Sequence, residues 1–347
     1  MNILVDINHP QDVHMFKNFI WQMEKRGHNI TINASQKSVS LELLDSYHLP
    51  YNNLGTYGTS TISKLVKLPI LDLRGYLAIR KKNIDLIIGS NNIRGAHISK
   101  IINKPSILIT GTEHNRLQQI ISIPFSTAVI TAENFQKDFG KKQVRFPGFY
   151  ELAYLHKNYF TPDPSILKLL KLSENDNIII LRLVDWSATH DIGQGGFKNL
   201  EYVIDNLKGY GNIFLSSEVK NEKYKKYELK IPPEKYHDLL YYSTLYIGEG
   251  GSSASESALL GTPAIFINSL TCGYLEELET KYHLVKNIHD TSLSEEYLCK
   301  CATDLLKKYN LKKEGRLIRE KIMRENIDTT QFFIDYVEKY ACKHKIS

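Results

Sequence analysis

The 347-residue chain carries 44 Lys and Arg against 38 Asp and Glu, with 42% hydrophobic and 24% charged residues. That is the balance of a soluble globular protein, and the length suits two ordinary domains better than one core. No apolar run approaches the roughly 20 residues needed to span a bilayer. The opening Met1-Asn2-Ile3-Leu4-Val5-Asp6 meets a carboxylate before a signal-peptide core could develop, so a cytoplasmic location is expected.

The net charge of +6 is unevenly spread: residues 1–150 hold 18 Lys and Arg against 10 Asp and Glu. A basic first half suits an anionic partner, and a solvated basic surface accounts for the same letters. Cys272, Cys299, Cys301 and Cys342 match no metal-ligand or redox spacing, which points to reduced thiols. No metal site and no cofactor is expected. Nucleic-acid binding is not expected either, because no recognised module is present.

In chain order, Ile3-Leu4-Val5 reads as a buried strand. After the loop Asn8-His9-Pro10, apolar Val13, Phe16, Ile20 and Met23 recur at helical spacing up to Gly27. Asn29–Ile32, Leu86–Ile88, Ser106–Ile109 and Thr127–Ile130 supply further strands. Between them, Lys64–Pro69 through Arg80-Lys81-Lys82 mixes bases with apolar residues. It reads as an amphipathic helix with a basic outer face, or as a segment touching an anionic bilayer.

The passage from Phe146-Pro147-Gly148 to Pro164 reads as an interdomain linker. Strand and helix signals restart with Ile178–Leu181, Ile213–Leu215, Leu245–Ile247 and Ala264–Ile267. The fold expected is α/β, with two Rossmann-like domains whose parallel sheets face a central cleft. An N-terminal domain is placed at 1–150, a C-terminal domain at 160–320 and a C-terminal helix at 321–347. Packing of that helix back on the N-terminal domain is one arrangement open to it.

The sharpest local signal follows the strand Leu245-Tyr246-Ile247. Glu249-Gly250-Gly251-Ser252-Ser253 is a polar turn, and Ser255–Leu260 reads as a helix ended by Gly261-Thr262-Pro263. Glycines let a ligand approach the backbone, and the amides of a helix start form an anion site suited to diphosphate. Glu256, about one turn in, is placed to accept both hydroxyls of a ribose. The competing reading is a plain capped turn, with Ser252 or Ser253 as N-cap and Glu256 completing a capping box.

Gly250 to Pro263 resembles the nucleotide-binding motif of GT-B glycosyltransferases, especially the MurG-like type, and of the non-hydrolysing UDP-N-acetylglucosamine 2-epimerases. The whole chain, moreover, resembles the DUF354 family, placed among GT-B proteins. The likeness lies in Asp6–Pro10, Thr112-Glu113-His114, Pro147–Leu155, Ser187–Gly193 and Ile231–Lys235.

The resemblance implies that Gly250, Gly251, Ser252 and Ser253 meet the phosphates and that Glu256 binds the ribose. It puts Arg182 and Ser187 near the diphosphate, Ser217 at the cleft border, Ile231 at the base, and Tyr274 and Glu276 at the donor sugar. On the acceptor side it suggests His9 as the base, with His14 and Asp6 as alternatives and Asp6 also as a carboxylate that orients His9. Glu113 and His114 form a further candidate pair. His190 and Asp191 are too few to call a metal site.

The function implied is metal-independent transfer of a sugar from a nucleotide sugar, UDP-linked as first choice, to a glycan or lipid-linked acceptor in cell-surface polysaccharide synthesis. Peripheral contact with the inner face of an anionic membrane goes with that reading. Two alternatives stand beside it. One is an epimerase of the UDP-N-acetylglucosamine type using Glu113, His114 and Glu218, although the epimerases' usual His-Thr-Gly-Gln-His segment is missing. The other is a non-catalytic nucleotide-sugar-binding protein.

Overall fold

The computed structural model describes residues 1–58, 61–184, 197–217, 222–290 and 294–345. The chain divides into two compact units: Met1–Tyr159 together with Asn326–Ser347, and Phe160–Glu325.

Seven strands build the sheet of the first unit: β1 (Asn2–Ile7), β2 (Asn29–Ala34), β3 (Asn52–Asn53), β4 (Leu86–Ser90), β5 (Ser106–Ile109), β6 (Ala128–Ala132) and β7 (Gln143–Phe146). Their order is β3-β2-β1-β4-β5-β6-β7. All the pairings are parallel. Central parallel strands are covered on both faces and therefore read as continuous apolar runs. Ile3, Leu4, Val5, Leu86, Ile87 and Ile88 are accordingly all fully buried. The edge strands β3 and β7 are short and polar and give no such run. In β7 only Phe146 is buried.

The first crossover helix, Pro10–Lys25, starts where His9 and Asp12 cap it reciprocally. The Asp12 carboxylate accepts the backbone N–H groups of Asn8 at 2.8 Å and His9 at 2.9 Å. Its inner face buries Val13, Phe16, Phe19, Ile20 and Met23, each worth about 1.5–3 kcal/mol of transfer free energy. Gly27 follows in the left-handed region at φ +82°, which only glycine adopts without cost.

The passage after Phe146, within which the first unit ends at Tyr159, is largely buried in its first part. Phe149, Tyr150, Leu152, Ala153, Tyr154 and Leu155 are buried. They lie under the final helix, Thr329–Lys343, whose Thr329 and Thr330 hydroxyls donate to the carbonyls of Phe149 and Ala153 at 2.8 and 2.7 Å. Phe332 and Phe333 of the same helix close on the ring of Phe146. Its aromatic residues are core of the first unit, which runs on to Tyr159.

The second unit has five parallel strands: β8 (Ile178–Leu183), β9 (Asn212–Ser217), β10 (Leu245–Gly248), β11 (Ala264–Ile267) and β12 (Val285–Ile288). Their order is β12-β11-β10-β8-β9. Ile179, Leu181, Leu245, Ile247 and Ile265 form the centre of its core, packed on Val203, Ile204 and Leu207 of one helix and Leu298 and Ala302 of another.

In each sheet the order of strand addition reverses once, between β1 and β4 in the first and between β8 and β10 in the second. Helices leaving the two strands at such a point diverge, and ligands bind in the opening beyond the strand ends.

Candidate functional site

At the reversal point of the second sheet, Arg182, one residue before the end of β8, pairs in register with Gly248 at the end of β10. A Cβ at Gly248 would stand 2.5 Å from the Tyr246 hydroxyl and 2.8 Å from Cβ of Arg182, so only glycine lets these strands end so tightly. Arg182 extends from that end, and its Nη1 donates to the Ser216 hydroxyl on β9 at 2.6 Å.

The chain then enters the helix Gly251–Leu259 with Gly250 as N-cap, in extended conformation at φ −92° and ψ 116°. Neither serine is the cap, so the capping-box reading of Ser252, Ser253 and Glu256 fails. Ser252 and Ser253 are the second and third helical residues. A glycine cap brings no side chain over the helix start, where the positive end of the dipole favours an anion. A Cβ at Gly251 would come within 2.6 Å of the Tyr274 hydroxyl, which places Tyr274 beside this turn.

Glu256 lies a turn further on and is buried. Its Oε1 lies 3.2 Å from Nε2 of His237, on the neighbouring helix Tyr236–Tyr242. The adjacent Tyr236 hydroxyl is buried among Arg182, Ser216, Ser253 and Glu256, and burial raises its pKa above the usual phenol value. Ser217 ends β9, and Ile231 lies in the loop leading to the Tyr236–Tyr242 helix. Glu276 sits partly exposed on the helix Gly273–Thr280 that also carries Tyr274.

Glu249, between β10 and the helix, has a separate role. Its carboxylate accepts N–H groups from Val184 at 3.0 Å and Phe197 at 2.8 Å, tying together two points of the chain beyond β8. Ser187, Thr189, His190, Asp191 and Glu218 lie outside the described residues.

The turn after this helix is closed by backbone chemistry. Gly261 N–H donates to Ala258 and Thr262 N–H to Ser257, the paired bonds of a Schellman cap, with Gly261 at φ +81°. A Cβ at Gly261 would meet the Gly315 carbonyl at 2.6 Å, so the cap also rests directly on the backbone of a second helix.

The reversal point of the first sheet carries a buried polar cluster. Asp6, at 0% exposure, is held by Arg94, also at 0%, through Nε at 2.8 Å and through Nη2. Arg94 Nη1 donates to Ser35 at 2.7 Å, and Asn8 Nδ2 reaches the second Asp6 oxygen at 3.3 Å. The Tyr57 hydroxyl donates to Asn8 at 2.9 Å. Burial pushes the Asp6 carboxyl up while Arg94 pulls it down, and burial wins.

The backbone N–H of His9 donates to Asp12, and the oxygens of Asp6 are taken up by Arg94 and Asn8. Burial pushes the Asp12 carboxyl up to about 7 against the two backbone N–H bonds it accepts. His9 is exposed, and its Nδ1 accepts the Gln11 N–H at 3.3 Å. His14 is buried, its ring against Tyr47 and Tyr154 and its Nδ1 3.3 Å from the Tyr47 hydroxyl. Glu113 is buried near Tyr150, and His114 is exposed.

Asp12, Arg94, Tyr236, His237 and the bridging role of Glu249 escape sequence reasoning. Arg94 is 88 residues from Asp6, and His-x-x-Asp is an uncommon capping pair. His237 stands two residues past Lys235, the last residue of the stretch that carried the family likeness.

A family model described as "Protein of unknown function (DUF354)" matches residues 1–341. The chain belongs to that family. A relative of the DUF354 chain, "Uncharacterized protein MJ0665" of Methanocaldococcus jannaschii, is 25% identical over 282 residues, covering 76% of this chain and 81% of the relative.

Among solved structures, the UDP-GlcNAc 2-epimerase of Methanocaldococcus jannaschii in complex with UDP-GlcNAc and UDP superposes with a TM-score of 0.63. It is 14% identical, and the match covers 92% of this chain and 99% of that one. MurG of Acinetobacter baumannii superposes with a TM-score of 0.58 at 14% identity, covering 98% and 100%. At such identities the likeness establishes the fold, and the DUF354 chain has the GT-B fold. Among the described residues, no group of three or more His, Cys, Asp or Glu side chains could hold a metal ion. No helix among them is long and apolar enough to cross a membrane.

Proposed function

We propose that this DUF354 protein is a metal-independent glycosyltransferase whose second unit holds a nucleotide sugar, with a UDP-sugar as the first choice. One observation carries the reading. A guanidinium (Arg182), a glycine-started helix (Gly250–Ser253), a buried tyrosine hydroxyl (Tyr236) and a buried carboxylate (Glu256) gather at the β8/β10 reversal point. That set matches a diphosphate followed by a ribose: cationic and helix-start groups for the phosphates, a carboxylate for the diol. The epimerase relative bound to UDP-GlcNAc and UDP shares the fold and supports this choice of ligand class.

In this reading Arg182 and the amides of Gly251, Ser252 and Ser253 stabilise the diphosphate as it departs, where negative charge grows in the transition state. Ser187, Ser217, Ile231, Tyr274 and Glu276 complete the donor contacts. His9 takes the proton of the acceptor hydroxyl through Nδ1, since its bond from Gln11 is long at 3.3 Å and readily exchanged. Asp6 and His14 then hold the loop and helix around it, and Glu113 and His114 are second choices for the proton.

The acceptor proposed is a glycan or lipid-linked sugar of cell-surface polysaccharide synthesis, reached from the cytoplasmic side of the membrane. Val66, Ile70, Leu73 and Leu77 are all exposed on the helix Thr61–Ile79, at spacings that put them on one face. That apolar stripe, in a basic unit, supports peripheral contact with an anionic bilayer.

The test is a screen of nucleotide sugars with a membrane lipid extract, following release of nucleoside diphosphate. Release that needs the extract and falls at least about 100-fold in His9→Ala is the expected result, in line with general-base contributions. Interconversion of UDP-N-acetylglucosamine without any acceptor would replace this reading with the epimerase one. Saturable nucleotide binding without turnover would leave only a binding protein.

A further inference from the structure

We infer that His237 is the positioning residue for the nucleoside-sugar carboxylate, holding Glu256 so that it tells a ribose from a 2′-deoxyribose. The inference rests on the proposed role of Glu256 and adds a residue to it. His237 and Glu256 come from adjacent helices, both are buried, and Nε2 stands 3.2 Å from Oε1. The two groups are complementary, since a carboxylate oxygen accepts and an imidazole N–H donates.

That contact does two things. Buried carboxylate oxygens are costly without donors, and the imidazole N–H supplies one. It also holds Oε1 of the carboxylate in place, which limits the planes the carboxylate can take. A diol needs two acceptors at fixed separation, so the plane of the carboxylate decides whether both hydroxyls are met. The side-chain torsions of a glutamate are otherwise soft, and its terminal torsion is broad. The short helix that carries His237, Tyr236–Tyr242, begins just past Pro232 and Pro233, and these prolines restrict the backbone before it.

The consequence is a specificity effect rather than a general loss of binding. Removing His237 loosens the carboxylate while Arg182 and the helix start remain. Affinity for a ligand whose grip depends on the 2′-hydroxyl then falls more than affinity for one that lacks it. A site built to bond a hydroxyl discriminates strongly against the analogue without it, because its polar groups are left unmatched.

The experiment is titration calorimetry of the full chain with UDP and with 2′-deoxy-UDP, for wild type, His237→Ala, His237→Gln, Glu256→Gln and the double variant His237→Ala with Glu256→Gln. Thermal melts check that each variant is folded. The wild type is expected to prefer UDP by about tenfold or more. His237→Ala is expected to bring that preference close to unity, His237→Gln to restore most of it through its own N–H donor, and the double variant to match Glu256→Gln alone.

Equal weakening of both ligands in His237→Ala, or an unchanged preference, overturns the positioning role while leaving the nucleotide site standing. Additive losses in the double variant overturn it as well. A wild type that binds UDP and 2′-deoxy-UDP equally, or neither, refutes the ribose role of Glu256, and the inference falls with it.

Discussion

Arg94 and Asp6 form a fully enclosed ion pair under the loop that carries His9. Removing one partner of such a pair strands the other charge in the core, at a cost of about 3–5 kcal/mol, whereas removing both is far milder. Urea unfolding is therefore expected to show Asp6→Asn and Arg94→Met each strongly destabilised. The double variant should recover part of the loss, and equal and additive losses would mean the pair does not act as a unit.

Asp12 gives a pH signature at the same scale. Its carboxyl is raised to about 7 by burial, from an unfolded value near 4. The folded state thus binds the proton more tightly than the unfolded one. The stability it contributes is complete below about pH 4 and is lost as pH rises through about 7. In Asp12→Asn the melting temperature should lose that part of its fall between those limits, and an unchanged slope would exclude Asp12 as its source.

Neither Arg94 nor Asp12 was legible as a partner in the sequence. Pairing across 88 residues depends on strand order, which periodicity does not reveal. His9-x-x-Asp12 hides its capping role because histidine seldom caps a helix.

Among elements, the central strands were the easiest to read. Ile3–Val5, Leu86–Ile88 and Ile178–Leu181 announce themselves because burial on both faces demands unbroken apolar residues. β3 and β7, and β12 with Lys286 in its middle, lie at sheet edges where that demand is relaxed, and they were not foreseen. The helix after β10 was foreseen, but its start was placed at the serines. It begins at Gly251 because Gly250 is extended there and Gly251 lies against Tyr274.

The helix Thr61–Ile79 was legible as mixed basic and apolar, and the structure turns four of its apolar residues outward. If that stripe meets a bilayer, Leu73→Glu should lower co-sedimentation with vesicles of anionic phospholipid severalfold, since it exchanges a buried apolar contact for a repelled charge. The melting temperature should barely change, because Leu73 is exposed at 57%. Equal sedimentation of variant and wild type would remove the stripe from any membrane role.

At the scale of the molecule, two parallel α/β units follow from the alternation of strand and helix signals, and the GT-B likeness agrees with them. The boundary between the units, Tyr159 to Phe160, falls within the passage Phe146–Pro164, but proline and glycine mark turns whether or not the turn is buried, so the burial of its first part was not legible. Its aromatic residues are covered by a helix nearly 200 residues later in the chain, Thr329–Lys343. Strand ends and reversal points concentrate the candidate residues of each unit, which is why the Gly250–Glu256 segment could be singled out from sequence, while its neighbours Tyr236 and His237 could not.

The central claim is that the β8/β10 reversal point grips a nucleoside diphosphate. It is tested most directly by calorimetric titration of the full chain with UDP, in parallel with Arg182→Ala. Saturable binding that weakens about tenfold or more in the variant is the result expected from loss of a charge-assisted phosphate contact. No detectable binding of UDP up to about 1 mM, or binding that Arg182→Ala leaves unchanged, would contradict it.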